Sequence, residues 1–181
     1  MISDFVKGKK KFDYPPRIQA GITLHRTIDE FTDNHPATKE AKEVFRPHYR
    51  LYSGAFVDVV YDHFLATDPG EFTESSLAAF TQNVYATLDK KTTYFPAIFA
   101  EMFPYMRLHD WLFNYRHNWG IEKSLNGVVR RSAYLTESHT AYQLFQDHYQ
   151  LFKDCYRQFW ADMLPFAQKE FDSLTGEEGK G

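Results

Sequence analysis

His25, Asp29 and Asp33 follow one another at intervals of four residues, in His25-Arg26-Thr27-Ile28-Asp29 and Thr32-Asp33-Asn34. On an α-helix each such interval advances the side chain by about 40° around the axis, so the three project from one stripe. An imidazole and a carboxylate one turn apart can share a divalent cation. They can also bond each other with no ion between them. A second stripe lies in Asp58-Val59-Val60-Tyr61-Asp62-His63. Asp58 and Asp62 are like charges one turn apart in an otherwise apolar run, where they repel and lose hydration. That pattern calls for a positive partner, an arginine, a lysine or a metal; without a metal, the expectation is a partly buried ion pair with Arg26, Arg46 or Arg50. His63 sits about 100° around the helix from Asp62 and need not face the same ligand.

Helix bundles build metal sites from inward stripes on facing helices. Imidazole with several carboxylates suits Mn, Fe, Mg or Zn, and oxygen-rich sets lean towards Mn or Mg. Asp4, in Ser3-Asp4-Phe5, is a further oxygen donor or an N-cap. In Ser124-Leu125-Asn126-Gly127-Val128-Val129-Arg130-Arg131 the Asn-Gly pair suggests a break or a close backbone approach. Behind Asn126-Gly127, Arg130 and Arg131 could take a phosphate or an acidic partner, or form an ordinary solvated helix end. Arg107, His109, Asp110 and Trp111 read as packing and ion pairing. Cys155 stands alone and reads as a small packing residue. There is no glycine-rich phosphate loop, dinucleotide fingerprint, HExxH or GxSxG.

The elements that must carry these residues read as helices. Pro15-Pro16 opens the first, which stops at Asn34-His35-Pro36. A second is expected over Ala37–Arg46, ending near Pro47, a third over Gly54–Ala66 and a fourth over Thr73–Lys91. Pro96 and Pro104 bound short helices at Phe95–Met102 and Tyr105–Asn118. Ile121–Ser132 and one long helix over Glu137–Phe171, kinked at Pro165, complete an all-α, single-domain bundle over residues 1–174. Thr175–Gly181 reads as a disordered tail.

With 21 Lys+Arg against 24 Asp+Glu the net charge is −3, so a strongly basic nucleic-acid binder is disfavoured. No apolar run approaches the roughly 18–20 residues needed to span a bilayer, and the N-terminus lacks a signal-peptide stretch, which points to the cytoplasm. One cysteine excludes an intrachain disulfide and a cysteine-based zinc site.

Asp4-Phe5-Val6-Lys7-Gly8, Tyr14-Pro15-Pro16, Gly21 to Asp29 with Thr32-Asp33-Asn34, Asp58 to Leu65, Trp111-Leu112 and Leu125-Asn126-Gly127 come in an order that resembles the acyl carrier protein phosphodiesterase family. The resemblance runs from Asp4 to about Phe171. It implies a helical fold that diverged from the HD-type metal phosphohydrolases. It also implies dependence on a divalent metal, Mn favoured and Mg or Fe possible. The implied reaction is hydrolysis of holo-acyl carrier protein to the apo-protein and phosphopantetheine. Asp4, His25, Asp29, Asp58 and Asp62 are the expected metal ligands. His63 is the expected proton donor, Arg26 and Asp33 join it in catalysis, and Asn126, Arg130 and Arg131 bind substrate. Because that substrate is acidic, contact falls to local basic residues: Lys7, Lys9, Lys10, Lys11 and Arg17, with Arg130 and Arg131. Three other readings share the pattern: a metal phosphodiesterase for another small phosphoester, a catalytically weak helical module that binds acyl carrier protein, and a helical bundle whose acids are structural ion pairs with no metal. Family members usually begin with an Asn-Phe/Tyr-Leu-Ala-His-like segment before Gly/Ala-Asp-Phe, a segment this sequence is expected to lack.

Overall fold

A computed structural model describes residues 1–176. Among them are nine α-helices: α1 Pro16–Asn34, α2 Pro36–Tyr49, α3 Ser53–Thr67, α4 Glu74–Asp89, α5 Ala97–Leu108, α6 Trp111–Asn114, α7 Asn118–Arg131, α8 His139–Asp147 and α9 Tyr149–Thr175. The described residues form no strand, and short 3-10 turns join several helices. No described helix is long and apolar enough to cross a membrane.

The boundaries follow local chemistry. Pro16 sits in the first turn of α1, where its missing N–H costs nothing. His35 ends α1 with extended backbone, and its Nδ1 accepts from the Ala37 N–H at 3.2 Å to start α2. Thr73 and Ser76 cap α4 reciprocally.

Several expected boundaries are corrected. Pro47 and Pro104 lie inside α2 and α5 rather than ending them. Each helix continues because later residues are anchored in a core. Tyr49 packs on Phe56 at 4.3 Å between ring centroids, and Met106 is buried with Phe99 and Phe103. The break near residue 110 comes from Asp110, whose φ of 43° is left-handed. The expected helix over Glu137–Phe171 is two helices that meet at His148, where the backbone leaves the helical region. The last helix runs through Thr175 and closes on a left-handed Gly176. Residues 177–181, the rest of the segment read as a tail, lie outside the described residues.

Two apolar clusters frame the functional region. The larger is built from α2, α3, α7, α8 and α9, with Phe45, Phe56, Ile121, Leu125, Phe145 and Phe152 fully enclosed. The smaller joins Tyr85 of α4 to Phe99, Phe103 and Met106 of α5, and the N-terminal Ile2 and Phe5 pack onto it. At α7 the chain must come very close to α6: a Cβ on Gly120 would run into the Asn114 carbonyl.

Candidate metal centre

Asp4 lies in a 3-10 turn, Ser3–Phe5, closed by the Phe5 N–H donating to Ile2 O at 3.1 Å and the Val6 N–H to Ser3 O at 3.0 Å. It is positioned by its neighbours. The Phe5 ring packs against Phe99 at 5.8 Å, and Val6 is buried. Arg26 reaches from α1 to donate to the carbonyls of Val6 and Gly8. His25, on the preceding residue of α1, lies between two carboxylates. Its Nδ1 is 2.9 Å from Asp29 Oδ2 and its Nε2 is 3.6 Å from Asp4 Oδ1. One ligand atom from each of Asp4, His25 and Asp29 falls within 4.8 Å of the others. Burial raises the Asp29 carboxyl, and His25 opposes that rise.

The acidic stripe continues from Asp29 to Asp33 and across to α3. Lys42 of α2 places Nζ 2.6 Å from Asp33 Oδ1. Its stem crosses α3 at Gly54, where a Cβ would stand 3.3 Å from Cε. Asp58 follows Gly54 by one turn. Its carboxylate meets water but is walled in by protein. Burial first, then the charges of Asp62, Asp33 and Asp29, push it up to about 7, while Lys42 opposes the shift. Asp62 is also an exposed residue whose carboxyl, crowded by protein, is pushed up to about 7 by burial, with the Tyr115 hydroxyl beside it acting the other way. The Tyr115 phenol is driven well above its ordinary range by burial and by Asp62, so it remains a neutral donor.

None of the arginines considered as partners for these acids pairs with them. Arg26 is engaged by the Val6 and Gly8 carbonyls, and Arg46 pairs with Glu43 at 3.0 Å. Among the described residues, Asp58 and Asp62 form no ion pair within 4.0 Å. The donor set therefore fits a divalent cation. An imidazole and two carboxylates converge, and two nearby carboxyls carry a repulsion that positive charge would relieve.

The other expected site residues separate into two groups. Arg131 folds back over Gly127, where a Cβ would meet its Nη1 at 3.3 Å, and its charge acts on Tyr115 beside Asp62. Asn126 and Arg130 share the adjoining exposed stripe of α7. His63 is not brought to the acids. It is buried among Phe64, Phe145 and Tyr149. Its Nδ1–H donates to the Tyr115 carbonyl at 2.8 Å, and burial lowers its pKa, so the ring is neutral. Lys42 and Tyr115 are the residues that sequence spacing missed. Lys42 lies in a Lys/Glu-rich helix that looks like any solvated face, and Tyr115 lies in a run whose helix breaks were not foreseen.

Comparison with known proteins adds to this geometry. The family model described as acyl carrier protein phosphodiesterase matches residues 1–163. The acyl carrier protein phosphodiesterase of Photorhabdus laumondii is 29% identical over 176 residues, covering 96% of this chain and 89% of that protein. The one from Enterobacter sp. (strain 638) is 32% identical over 171 residues, covering 94% and 89%. The one from Yersinia pestis is 32% identical over 169 residues, covering 93% and 88%. No solved structure matches the chain.

Proposed function

The chain belongs to the acyl carrier protein phosphodiesterase family, and we propose that it hydrolyses the phosphodiester between phosphopantetheine and the serine of holo-acyl carrier protein, with a divalent metal at the Asp4–His25–Asp29 cluster. The products are the apo-protein and phosphopantetheine. The convergence of three ligand atoms within 4.8 Å is the observation that carries this reading.

Asp4, His25 and Asp29 would hold the cation, with Asp58 and Asp62 extending the ligand set. Mn is favoured for this oxygen-rich donor set, with Mg or Fe possible. When bound, the cation supplies Lewis acidity, which lowers the pKa of water and offsets charge on phosphoryl oxygens. The chain itself does the positioning. Arg26 fixes the segment that carries Asp4. Lys42 draws Asp33 aside, and the Tyr115 hydroxyl steadies Asp62. Arg131 stands near Tyr115 to meet the anionic substrate, and Asn126 and Arg130 border it on α7. His63 acts indirectly, by holding the Tyr115 carbonyl.

The acidic carrier protein would approach the 3-10 turn Gly8–Asp13. That turn buries none of its residues and displays Lys9, Lys10 and Lys11 next to the segment bearing Asp4. The same reading keeps the cytoplasmic setting expected from the sequence. Turnover of holo-acyl carrier protein by His25→Ala and Asp29→Ala tests the site. A loss of about 100-fold or more is expected for each. Wild-type rates in either would overturn the assignment of the cluster.

A further inference from the structure

Trp119 is a large apolar side chain that the core does not use. It lies in the first turn of α7, is 48% exposed and belongs to neither apolar cluster. Its indole is held in place all the same. The His117 ring stacks on it at 5.8 Å and 10°. The Lys123 ammonium lies over it, 4.9 Å from the ring centroid. His117 in turn packs edge-on against Phe113 at 6.0 Å. A tryptophan that is already ordered and half exposed loses little freedom when a partner covers it, and such residues carry much of the binding energy at protein interfaces.

Trp119, Lys123, Asn126 and Arg130 recur at intervals of four, three and four, so they fall within about 60° of one another around α7. All four are exposed. Among the described residues, neither Lys123 nor Arg130 forms an ion pair within 4.0 Å. The single acid of α7, Glu122, stands about 60° to one side of Trp119. Arg130 suits the helix dipole in the last turn, but Lys123 lies mid-helix and has no such reason to be there. The stripe also adjoins the candidate metal centre. Ser124, the residue after Lys123, lies against the Tyr115 hydroxyl, and Tyr115 stands beside Asp62.

We propose, resting on the phosphodiesterase reading, that the acidic face of the acyl carrier protein docks on the α7 stripe from Trp119 to Arg130, with Trp119 and Lys123 as its anchor. Charge complementarity selects this occupant: it brings the carboxylates that Lys123 and Arg130 lack, and it is the protein part of the substrate for the neighbouring site. The anchor recognises the carrier protein and not the phosphodiester. It lies on a different element from the basic turn Gly8–Asp13.

The test is titration of apo-acyl carrier protein, the product, into the wild type, Trp119→Ala and Lys123→Glu at low ionic strength. Turnover of a short peptide bearing phosphopantetheinyl-serine is measured beside it. Both substitutions should weaken carrier binding about tenfold or more. Peptide turnover and the thermal midpoint should stay as in the wild type, since Trp119 packs in neither cluster. Unchanged carrier binding in either variant would overturn the proposal. So would an equal loss with carrier and peptide, which would put the damage in the site itself. A wild type that is dimeric by light scattering and a Trp119→Ala variant that is monomeric would also overturn it, because a second copy would then cover the face. The reaction is judged separately, by wild-type turnover of holo-acyl carrier protein. Turnover with unaffected variants removes only the docking surface; absent turnover removes the reaction.

Discussion

Lys42 Nζ stands 2.6 Å from Asp33 Oδ1, and it reaches that position by crossing α3 at a residue with no side chain, Gly54. The pair joins three helices at the end of the acidic stripe. It also places a cation close enough to Asp58 to hold down a carboxyl that burial and three other aspartates push up to about 7. Lys42→Met should therefore raise the Asp58 midpoint further. Carboxyl-carbon NMR of the metal-free protein measures it. A midpoint that stays or falls would remove Lys42 from the site.

Asp58 and Asp62 give the metal-free protein a distinctive pH dependence. Both carboxyls are raised in the folded state, so between about 4 and about 7 the native protein binds more protons than the unfolded chain. Their contribution to stability is fully present below the unfolded pKa and is lost as pH rises through the folded one. Urea unfolding at pH 5 and pH 8 should show a loss of about 1 kcal/mol per carboxyl, allowing for solvent screening at these open oxygens. Asp58→Asn and Asp62→Asn should each flatten the profile. A slope that the double variant leaves unchanged would contradict this origin.

Much of this arrangement was legible in the residues. Pro15-Pro16 and Asn34-His35-Pro36 bracket α1 almost to the residue, because proline and a capping side chain act locally. The four-residue spacing placed His25 and Asp29 together on one stripe of α1, and they meet at 2.9 Å. The break at His148 was not legible. Ala141, Phe145, Phe152, Tyr156 and Phe159 continue a helical spacing straight through it. Pro47 and Pro104 misled in the opposite sense, since burial of Tyr49 and Met106 carries their helices onward. Lys42 reaches Asp33 from α2 and Tyr115 reaches Asp62 from the turn after α6, and such pairings depend on tertiary packing that no local spacing encodes.

Arg26 is placed to act on the site through the backbone. Its guanidinium holds the Val6 and Gly8 carbonyls, and with them the turn that carries Asp4. Arg26→Ala should weaken Mn binding by about 10- to 100-fold, as losing the support behind a ligand typically does, while the circular dichroism spectrum stays helical. Mn titration followed by electron paramagnetic resonance reads the affinity. Wild-type affinity would show that Asp4 needs no such support.

Gly120 tests the packing that brings α7 to the site. A Cβ there collides with the Asn114 carbonyl, a backbone atom that cannot swing aside. Gly120→Ala should cost about 3 kcal/mol or more in denaturant unfolding, the range for forced backbone shifts in a packed interior. A change below about 0.5 kcal/mol, the size of an ordinary surface substitution, would mean that α6 and α7 are not so closely apposed.

The central claim is a metal-dependent phosphodiester hydrolysis at the cluster of Asp4, His25 and Asp29. Its most direct test is to incubate the protein with holo-acyl carrier protein, once with Mn and once with excess chelator, and to follow the intact mass of the carrier. The account predicts that the phosphopantetheine mass is lost from the carrier serine with Mn and retained with chelator. Loss at the same rate in both, or retention in both, would contradict it.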